Sequence, residues 1–304
     1  MVCPICKSAH VKKNGEKRGR QTWRCRDCGR QFADSDSALI ERLKSRYGED
    51  ELEAIANGRG TIHPPKVSKP VTFAGDIFKA LVITDTHEGS QWVRDEWLDA
   101  AIDEAKREKV DEVWHAGDVT EGMSGRDGHI YELKAIGYQA QRDRAVERFK
   151  RFDRPLKAIA GNHDLWFMSK GDMGADIVKD ICSRIDGAEY LGPQEGDIDV
   201  KGVKVKLFHG EDGSSYALSY RPQKIVESLS GGEKPAVLIT GHDHKAGYFF
   251  IRNVHVIMGG CLQSQTPFMR RKKISAMPGF YILTMCIADK EIKWIDPRFY
   301  PFYK

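Results

Sequence analysis

The sequence predicts an α/β protein: a layered, mixed β-sandwich flanked by helices, with a small cysteine-bound ribbon and a helical hairpin in front of it. Three observations carry that reading. Five apolar runs of strand length each end in a polar turn. Helical patterns alternate with those runs, which is the rhythm of a layered α/β domain. Four of the seven cysteines stand near the N-terminus as two Cys-x-x-Cys pairs.

From the N-terminus, Cys3 and Cys6, then Cys25 and Cys28, have the spacing of a four-thiolate zinc site. A ribbon over residues 1–34 is too short to bury a self-sufficient core, so one structural zinc is expected to hold it together. Residues 1–31 carry nine Lys or Arg against Glu16 and Asp27, a charge of +7, so the rest of a +4 chain sums to −3. Charge concentrated in this way around Trp23 and Phe32 suits a phosphate backbone. Arg18, Arg20, Arg24 and Arg26 are the expected contacts, and Trp23 is available to stack on an unpaired base.

Residues 35–58 place Ala38, Leu39 and Leu43, then Leu52, Ile55 and Ala56, at helical spacing, with a break at Gly48 and a stop at Gly58. That pattern predicts a helical hairpin. Residues 59–72, with Pro64, Pro65 and Pro70, read as a linker. Residues 73–304 are long enough for one large domain.

In that domain the expected strands are 80–83, 110–114, 156–160, 203–208 and 236–240. They lead into Asp85 and His87, Gly117-Asp118, Gly161-Asn162-His163-Asp164, His209, and Gly241-His242-Asp243-His244. Helical patterns cover 92–108, 132–152, 173–185 and 223–229, and hairpins are expected in 198–208, 248–258 and 281–295. Side chains that leave several strands at one end of a sheet can converge on one point. This set holds the carboxylates, imidazoles and amide oxygen that a two-metal phosphoester-cleaving centre requires. Such ligands suit two divalent ions, Mn first, with Fe, Zn or Mg compatible. His10, His63, His115, His129 and His255 fall outside the blocks and are expected as solvated or structurally bonded imidazoles.

The ordered blocks D-x-H, G-D, G-N-H-D, a lone His after a strand, and G-H-x-H resemble those of the calcineurin-like metallophosphoesterase superfamily, over about residues 79–290. The resemblance implies that Asp85, His87, Asp118 and His244 hold one metal, that Asp118, Asn162, His209 and His242 hold the other, and that Asp118 is the bridge. It also implies that His163 is the general acid and that the Glu121 carboxylate orients it. Many relatives carry Asp followed by Arg where this chain has Glu121-Gly122.

The G-N-H-D block followed by an apolar residue resembles the nucleases and phosphodiesterases of the superfamily more than its protein phosphatases. The stretch from Cys3 to Phe32 is similar to the zinc ribbons of insertion-sequence transposases. Together the resemblances imply a metal-dependent hydrolase, a DNA nuclease with a DNA-binding arm. The alternative is a phosphatase or small-molecule phosphodiesterase whose ribbon docks to a protein partner. No apolar run approaches the ~20 residues needed to span a bilayer, and a zinc ligand already stands at Cys3, so a cytoplasmic protein without a membrane partner is expected.

Overall fold

The computed structural model describes residues 2–3, 5–17, 20–33, 66–169, 175–211 and 215–302. The hairpin expected at 35–58, residues 59–65 of the expected linker, and Arg18 lie outside the described residues. The chain divides into two compact units, residues 1–56 and 57–304. No helix among the described residues is long and apolar enough to cross a membrane.

The first unit is a three-stranded antiparallel sheet of β1 (Val11–Lys17), β2 (Arg20–Cys25) and β3 (Gln31–Ala33). Each Cys-x-x-Cys turn is built the same way. Lys7 N–H donates to the Cys3 carbonyl at 2.9 Å, and Gly29 N–H donates to the Cys25 carbonyl at 3.1 Å. Lys7 (φ 59°) and Gly29 (φ 71°) follow the second cysteine of each turn and take the left-handed conformation that closes it.

The second unit has four layers. One sheet orders its strands β14-β13-β4-β5-β6-β7 and the other β11-β12-β10-β9-β8. The first comprises β4 (Ile77–Ile83), β5 (Glu112–His115), β6 (Leu156–Ala160), β7 (Ala188–Pro193), β13 (Gly279–Ala288) and β14 (Glu291–Pro301). The second comprises β8 (Glu195–Val200), β9 (Val203–Phe208), β10 (Val237–Thr240), β11 (Ala246–Ile251) and β12 (Val254–Gly259).

Strand alternation explains why both faces of β4 are apolar. Phe78, Ala80 and Val82 enter the core between the sheets with Trp114, Val205, Leu207 and Ile239. Leu81 and Ile83 face the helical layer. That layer holds α1 (Asp95–Glu108), α2 (Tyr138–Phe149), the single turn α3 (Trp166–Ser169) and α4 (Ile177–Ser183), which bury Leu98, Ile102, Phe149, Phe167, Ile177 and Ile181 in the core that covers the sheet. On the far side, α5 (Tyr220–Ser228) lays Val226 on Leu238, Val254 and Val256.

Strands β4, β5 and β6 run parallel to one another, and so do β9 and β10. Their C-terminal ends therefore lie together within each sheet, and the motif turns begin there. Residues 66–71, expected as linker, instead lie along the edge of β8: Ser68 N–H donates to the Asp197 carbonyl and Val71 N–H to the Asp199 carbonyl, both at 2.8 Å. That strand edge is thus covered rather than left open.

Candidate metal centre

The turn after β4 is zipped to the turn after β5. Asp85 N–H donates to the Gly117 carbonyl and His87 N–H to the Asp118 carbonyl, each at 3.0 Å. Asp85, His87, Asp118, His242 and His244 all have positive φ, between 48° and 74°. A non-glycine residue held there is strained by roughly 1–3 kcal/mol, and such strain concentrates at functional sites. Gly161 and Gly241 permit the close approach of the turns. A Cβ on Gly161 would collide with Asp118, and one on Gly241 would collide with Thr84 Oγ1.

Two groups of ligand atoms result. In the first, His87 Nε2 and His244 Nε2 are 3.1 Å apart, His244 Nε2 is 3.3 Å from Asp85 Oδ1, and His87 Nε2 is 3.8 Å from both Asp85 Oδ1 and Asp118 Oδ2. In the second, His209 Nε2 is 3.1 Å from Asp118 Oδ2, and His242 Nδ1 is 2.7 Å from Asn162 Oδ1. The Asp118 carboxylate reaches both groups. All seven residues expected as ligands are thus brought together, from the ends of five strands in two sheets.

The donor set fits divalent cations. His209 Nδ1 donates to the Ala116 carbonyl at 2.7 Å, which leaves the lone pair of the neutral ring on Nε2, facing a carboxylate oxygen. Such a pair repels unless a cation or a proton lies on the nitrogen. Metal-free, a proton takes that place: burial opposes it, but the Asp118 carboxylate pushes the His209 pKa up to about 9. Asp85 shows the same balance, with burial opposing and the His244 ring holding its carboxyl well below the usual range. Thr84 Oγ1 donates to Asp85 Oδ2 at 2.6 Å, and His242 N–H donates to both carboxylate oxygens at 3.0–3.1 Å, which fixes the carboxylate in place.

His163 stands apart from the two groups. Its backbone N–H donates to Asp118 Oδ1 at 2.8 Å, while its ring Nδ1 bonds the Glu121 carbonyl at 2.9 Å. The ring lies against Trp166 with centroids 3.9 Å apart and the planes tilted by 32°, and it meets His87 edge-on at 4.6 Å. It keeps about a quarter of its side chain exposed, at 23%. Burial lowers its pKa, with Asp118 opposing.

The Glu121 carboxylate does not take the place expected for it. It lies 3.7 Å from His163 Nδ1 but 3.1 Å from both His87 Nδ1 and His129 Nε2, and it accepts from Gln263 Nε2 at 2.9 Å. The carbonyl of Glu121 therefore orients His163, and its carboxylate orients His87. The reason is local: the turn Glu121-Gly122 passes over His163 so closely that a Cβ on Gly122 would strike the His163 carbonyl.

Sequence reasoning missed two participants, Asp164 and Arg221, while His129 is the structurally bonded imidazole expected of it, here in contact with Glu121. His129 is buried, and its Nδ1 accepts from Ser124 N–H at 3.2 Å, so Nε2 carries the proton given to Glu121. Asp164 accepts from the N–H groups of Gly161, Val119 and Thr120 and from the Thr120 hydroxyl at 2.7–3.0 Å, tying two motif turns together. Burial and neighbouring Asp118 push its pKa up to about 7, against those donors. Arg221, from α5, pairs with Asp243 and anchors the last motif turn. The fourth residue of G-N-H-D was the one available sign of these supports. His115, by contrast, is a satisfied structural imidazole, bonded to Gly117 N–H at 3.2 Å and to the Thr86 hydroxyl at 2.9 Å.

A cavity of about 670 Å³ opens on the cluster. His87, Asp118, Asn162, His163, His242 and His244 line it, together with Trp166, Arg126, Phe268, Met269 and Ile274.

In the first unit, Cys3 Sγ lies 3.7 Å from Cys28 Sγ, and Cys6 Sγ lies 3.5 Å from Cys25 Sγ. Those separations are far beyond the ~2.05 Å of a disulfide. They match the edge of about 3.8 Å that a tetrahedron with ~2.3 Å Zn–S bonds requires. Trp23 is half-buried and pairs across the sheet with Lys13 and Phe32. Arg24 and Arg26 are exposed, and Arg20 opens β2.

The chain is 28% identical over 249 residues to the DNA polymerase II small subunit of Halobacterium salinarum, covering 69% of this chain and 48% of that one. It is 26% identical over 253 residues to the protein of that name from Archaeoglobus fulgidus, covering 66% and 50%. The chain thus spans about half the length of the curated relatives it matches. Among solved structures, a novel archaeal phosphodiesterase is 18% identical over 73% of this chain and 100% of its own, with a TM-score of 0.42. A phosphoesterase from E. coli is 13% identical over 72% and 98%, with a TM-score of 0.41. The family model for the calcineurin-like phosphoesterase superfamily domain matches residues 78–276, a span that holds all seven clustered ligand residues together with His163, and the chain belongs to that superfamily.

Proposed function

We propose that the protein is a metal-dependent phosphodiesterase that cleaves DNA and that its N-terminal ribbon holds the nucleic acid. One observation carries the hydrolase part: the Asp118 carboxylate reaches ligand groups from both sheets, while His163, one ring away, stays outside both. Asp85, His87, Asp118 and His244 would hold one divalent cation, and Asp118, Asn162, His209 and His242 the other. When bound, the two cations supply Lewis acidity, lowering the pKa of a water and offsetting the charge that builds on the phosphate.

The chain's own residues do the rest. The Ala116 carbonyl keeps His209 in the tautomer that presents Nε2. The Glu121 carboxylate does the corresponding work at His87 Nδ1. With Nδ1 of His163 committed to the Glu121 carbonyl, its Nε2 is left to carry the proton a leaving oxygen needs. Its lowered pKa makes the imidazolium a readier donor. Trp166 covers one ring face and excludes water there.

DNA as substrate is supported by the name of the curated relatives and by the basic ribbon. The exposed Arg24 and Arg26, with Arg18 and Arg20, are the proposed phosphate contacts. Trp23 is the proposed stacking partner. A zinc on Cys3, Cys6, Cys25 and Cys28 would hold the ribbon in shape. The test is incubation of manganese-loaded protein with single- and double-stranded DNA, RNA and bis-p-nitrophenyl phosphate. DNA cleavage is expected. Turnover of the small diester alone would keep the phosphodiesterase and remove DNA, and turnover of nothing would remove the enzyme.

A further inference from the structure

The cavity lining beyond the ligand residues has a chemistry of its own. Phe268 lies in α6 (Pro267–Arg271), a short helix whose start is set by the Thr266 hydroxyl, which accepts from Met269 N–H at 3.1 Å, and by Pro267 at its first position. Arg126 comes from a different segment, after the Glu121 turn. Its guanidinium lies 4.7 Å from the centroid of the Phe268 ring, and Glu132 holds it from the side at 2.6 Å. Trp166 adds a third planar group, set against His163 with the two planes tilted by 32°. All three line the same cavity as Asp118 and His163. A small phosphate makes no use of these planes, whereas a nucleobase stacks on them.

We infer that Arg126, Phe268 and Trp166 form a planar platform for an unpaired base carried on the nucleoside next to the reacting phosphate. The inference rests on the phosphodiesterase reading above and gives its substrate a shape: the base must leave its duplex to reach the platform. A guanidinium backed by an aromatic ring is a stiff, flat surface with its charge partly satisfied by Glu132, which favours stacking over simple phosphate attraction. The cavity is large enough for a nucleotide, since small-molecule sites run from about 300 to 1,000 Å³.

The test compares thymidine 5′-monophosphate with 2-deoxyribose 5-phosphate, which lacks the base, by calorimetric titration into the full-length manganese-loaded protein. Base stacking on an aromatic group should make the nucleotide bind roughly 5–150-fold more tightly. Phe268→Leu keeps apolar volume but loses the plane, and Arg126→Lys keeps charge but loses the plane. Each should bring the ratio toward one while leaving the affinity for the sugar phosphate in place. A ratio near one in the parent, an Arg126→Lys variant that behaves as the parent, or variants that weaken both ligands alike would each overturn the platform. Absent DNA cleavage with the ratio intact would remove the DNA substrate but keep the platform. DNA cleavage with a ratio near one would do the reverse.

Discussion

Replacing His163 by Ala separates proton donation from metal holding, because the structure gives its ring and its backbone different tasks. The backbone N–H that supports Asp118 Oδ1 at 2.8 Å survives the substitution. The ring is lost, along with its bond to the Glu121 carbonyl and its contact with Trp166. Neither ligand group contains a His163 nitrogen, so both core metals should remain by elemental analysis. Loss of a general acid costs roughly 10²–10⁴-fold in turnover. The full loss should appear with a DNA diester, whose departing alkoxide is a strong base. Bis-p-nitrophenyl phosphate releases a phenolate that is stable near neutral pH and needs little protonation, so its turnover should fall far less. The assay is therefore kcat on both substrates at saturating manganese, with metal content measured on the same samples. An equal loss on both substrates, or a missing core metal, would refute the assignment of His163 as proton donor.

Asp118→Asn should weaken both core ions together, because one carboxylate reaches both groups, whereas the cysteine-bound zinc should survive this change and also mild chelation; elemental analysis reads both outcomes. With the core ions removed, His209 folds with its pKa raised from 6.5 to about 9, so its protonation stabilises the chelated protein fully below about pH 6.5, and that contribution is lost as pH rises through about 9. Thermal melts of chelated protein should show this decline, metal uptake near pH 7 should release protons in calorimetry across buffers of differing ionisation enthalpy, and His209→Gln should lessen both effects without abolishing them, because Asp85 and Glu121 also raise the His244 and His87 rings against their burial. A chain beginning at Ile62 keeps every core ligand, so it should hydrolyse bis-p-nitrophenyl phosphate at the parental rate while losing DNA affinity at moderate salt. Restoring the ribbon with one of Arg18, Arg20, Arg24 or Arg26 neutralised should lower the slope of log affinity against log salt by about 0.9 on duplex DNA, and equal binding with and without the ribbon would remove it as the arm.

The strands that lead into the motif turns were legible in different degrees: β10 and the second half of β4 are buried on both faces and read as continuous apolar runs, whereas β5, β6 and β9 admit Glu112, Lys157, Lys204 and Lys206 and show only through the apolar residues around them. Elements whose punctuation misleads were less so. The expected helix at 223–229 begins earlier, at Tyr220, because Pro222 sits in the first turn, where a missing N–H costs nothing. The pattern at 132–152 becomes helix only from Tyr138, since Leu133 is buried from a loop rather than from a helix face. Strand β7 escaped notice because Gly192 and Pro193 read as a turn, and the ladder shifts register between Ala158 and Ile159 to accommodate them. The aromatic residues of β14 and just beyond it pack on the core: Tyr300 stacks on Phe280 at 5.0 Å and Phe302 on Trp97 at 5.4 Å.

At the site, residue types announced the residues proposed as ligands, which the fold brings together, but their supports could not be read, and the difference is physical. A ligand must be Asp, His or Asn whatever surrounds it, so its identity survives in one dimension. A support need only place a donor or acceptor at the right spot after the chain has closed, and many residues can do that from many positions. Gln263 reaches Glu121 from 142 positions away, and Arg221 reaches the turn residue Asp243 from α5. The glycines lie between these cases. Gly161 and Gly241 are visible beside the ligands, yet the collisions that require them involve Asp118 and Thr84, which only the closed fold brings near. The same closure holds five of the seven ligand residues in left-handed backbone. Strain of that size persists only where surrounding bonds over-determine the turn. The four bonds to Asp164, the zipper between the Asp85 and Asp118 turns, and the Arg221 anchor supply that constraint, so the supports missing from the sequence motif are what hold the motif residues in the arrangement that the proposed metal centre needs.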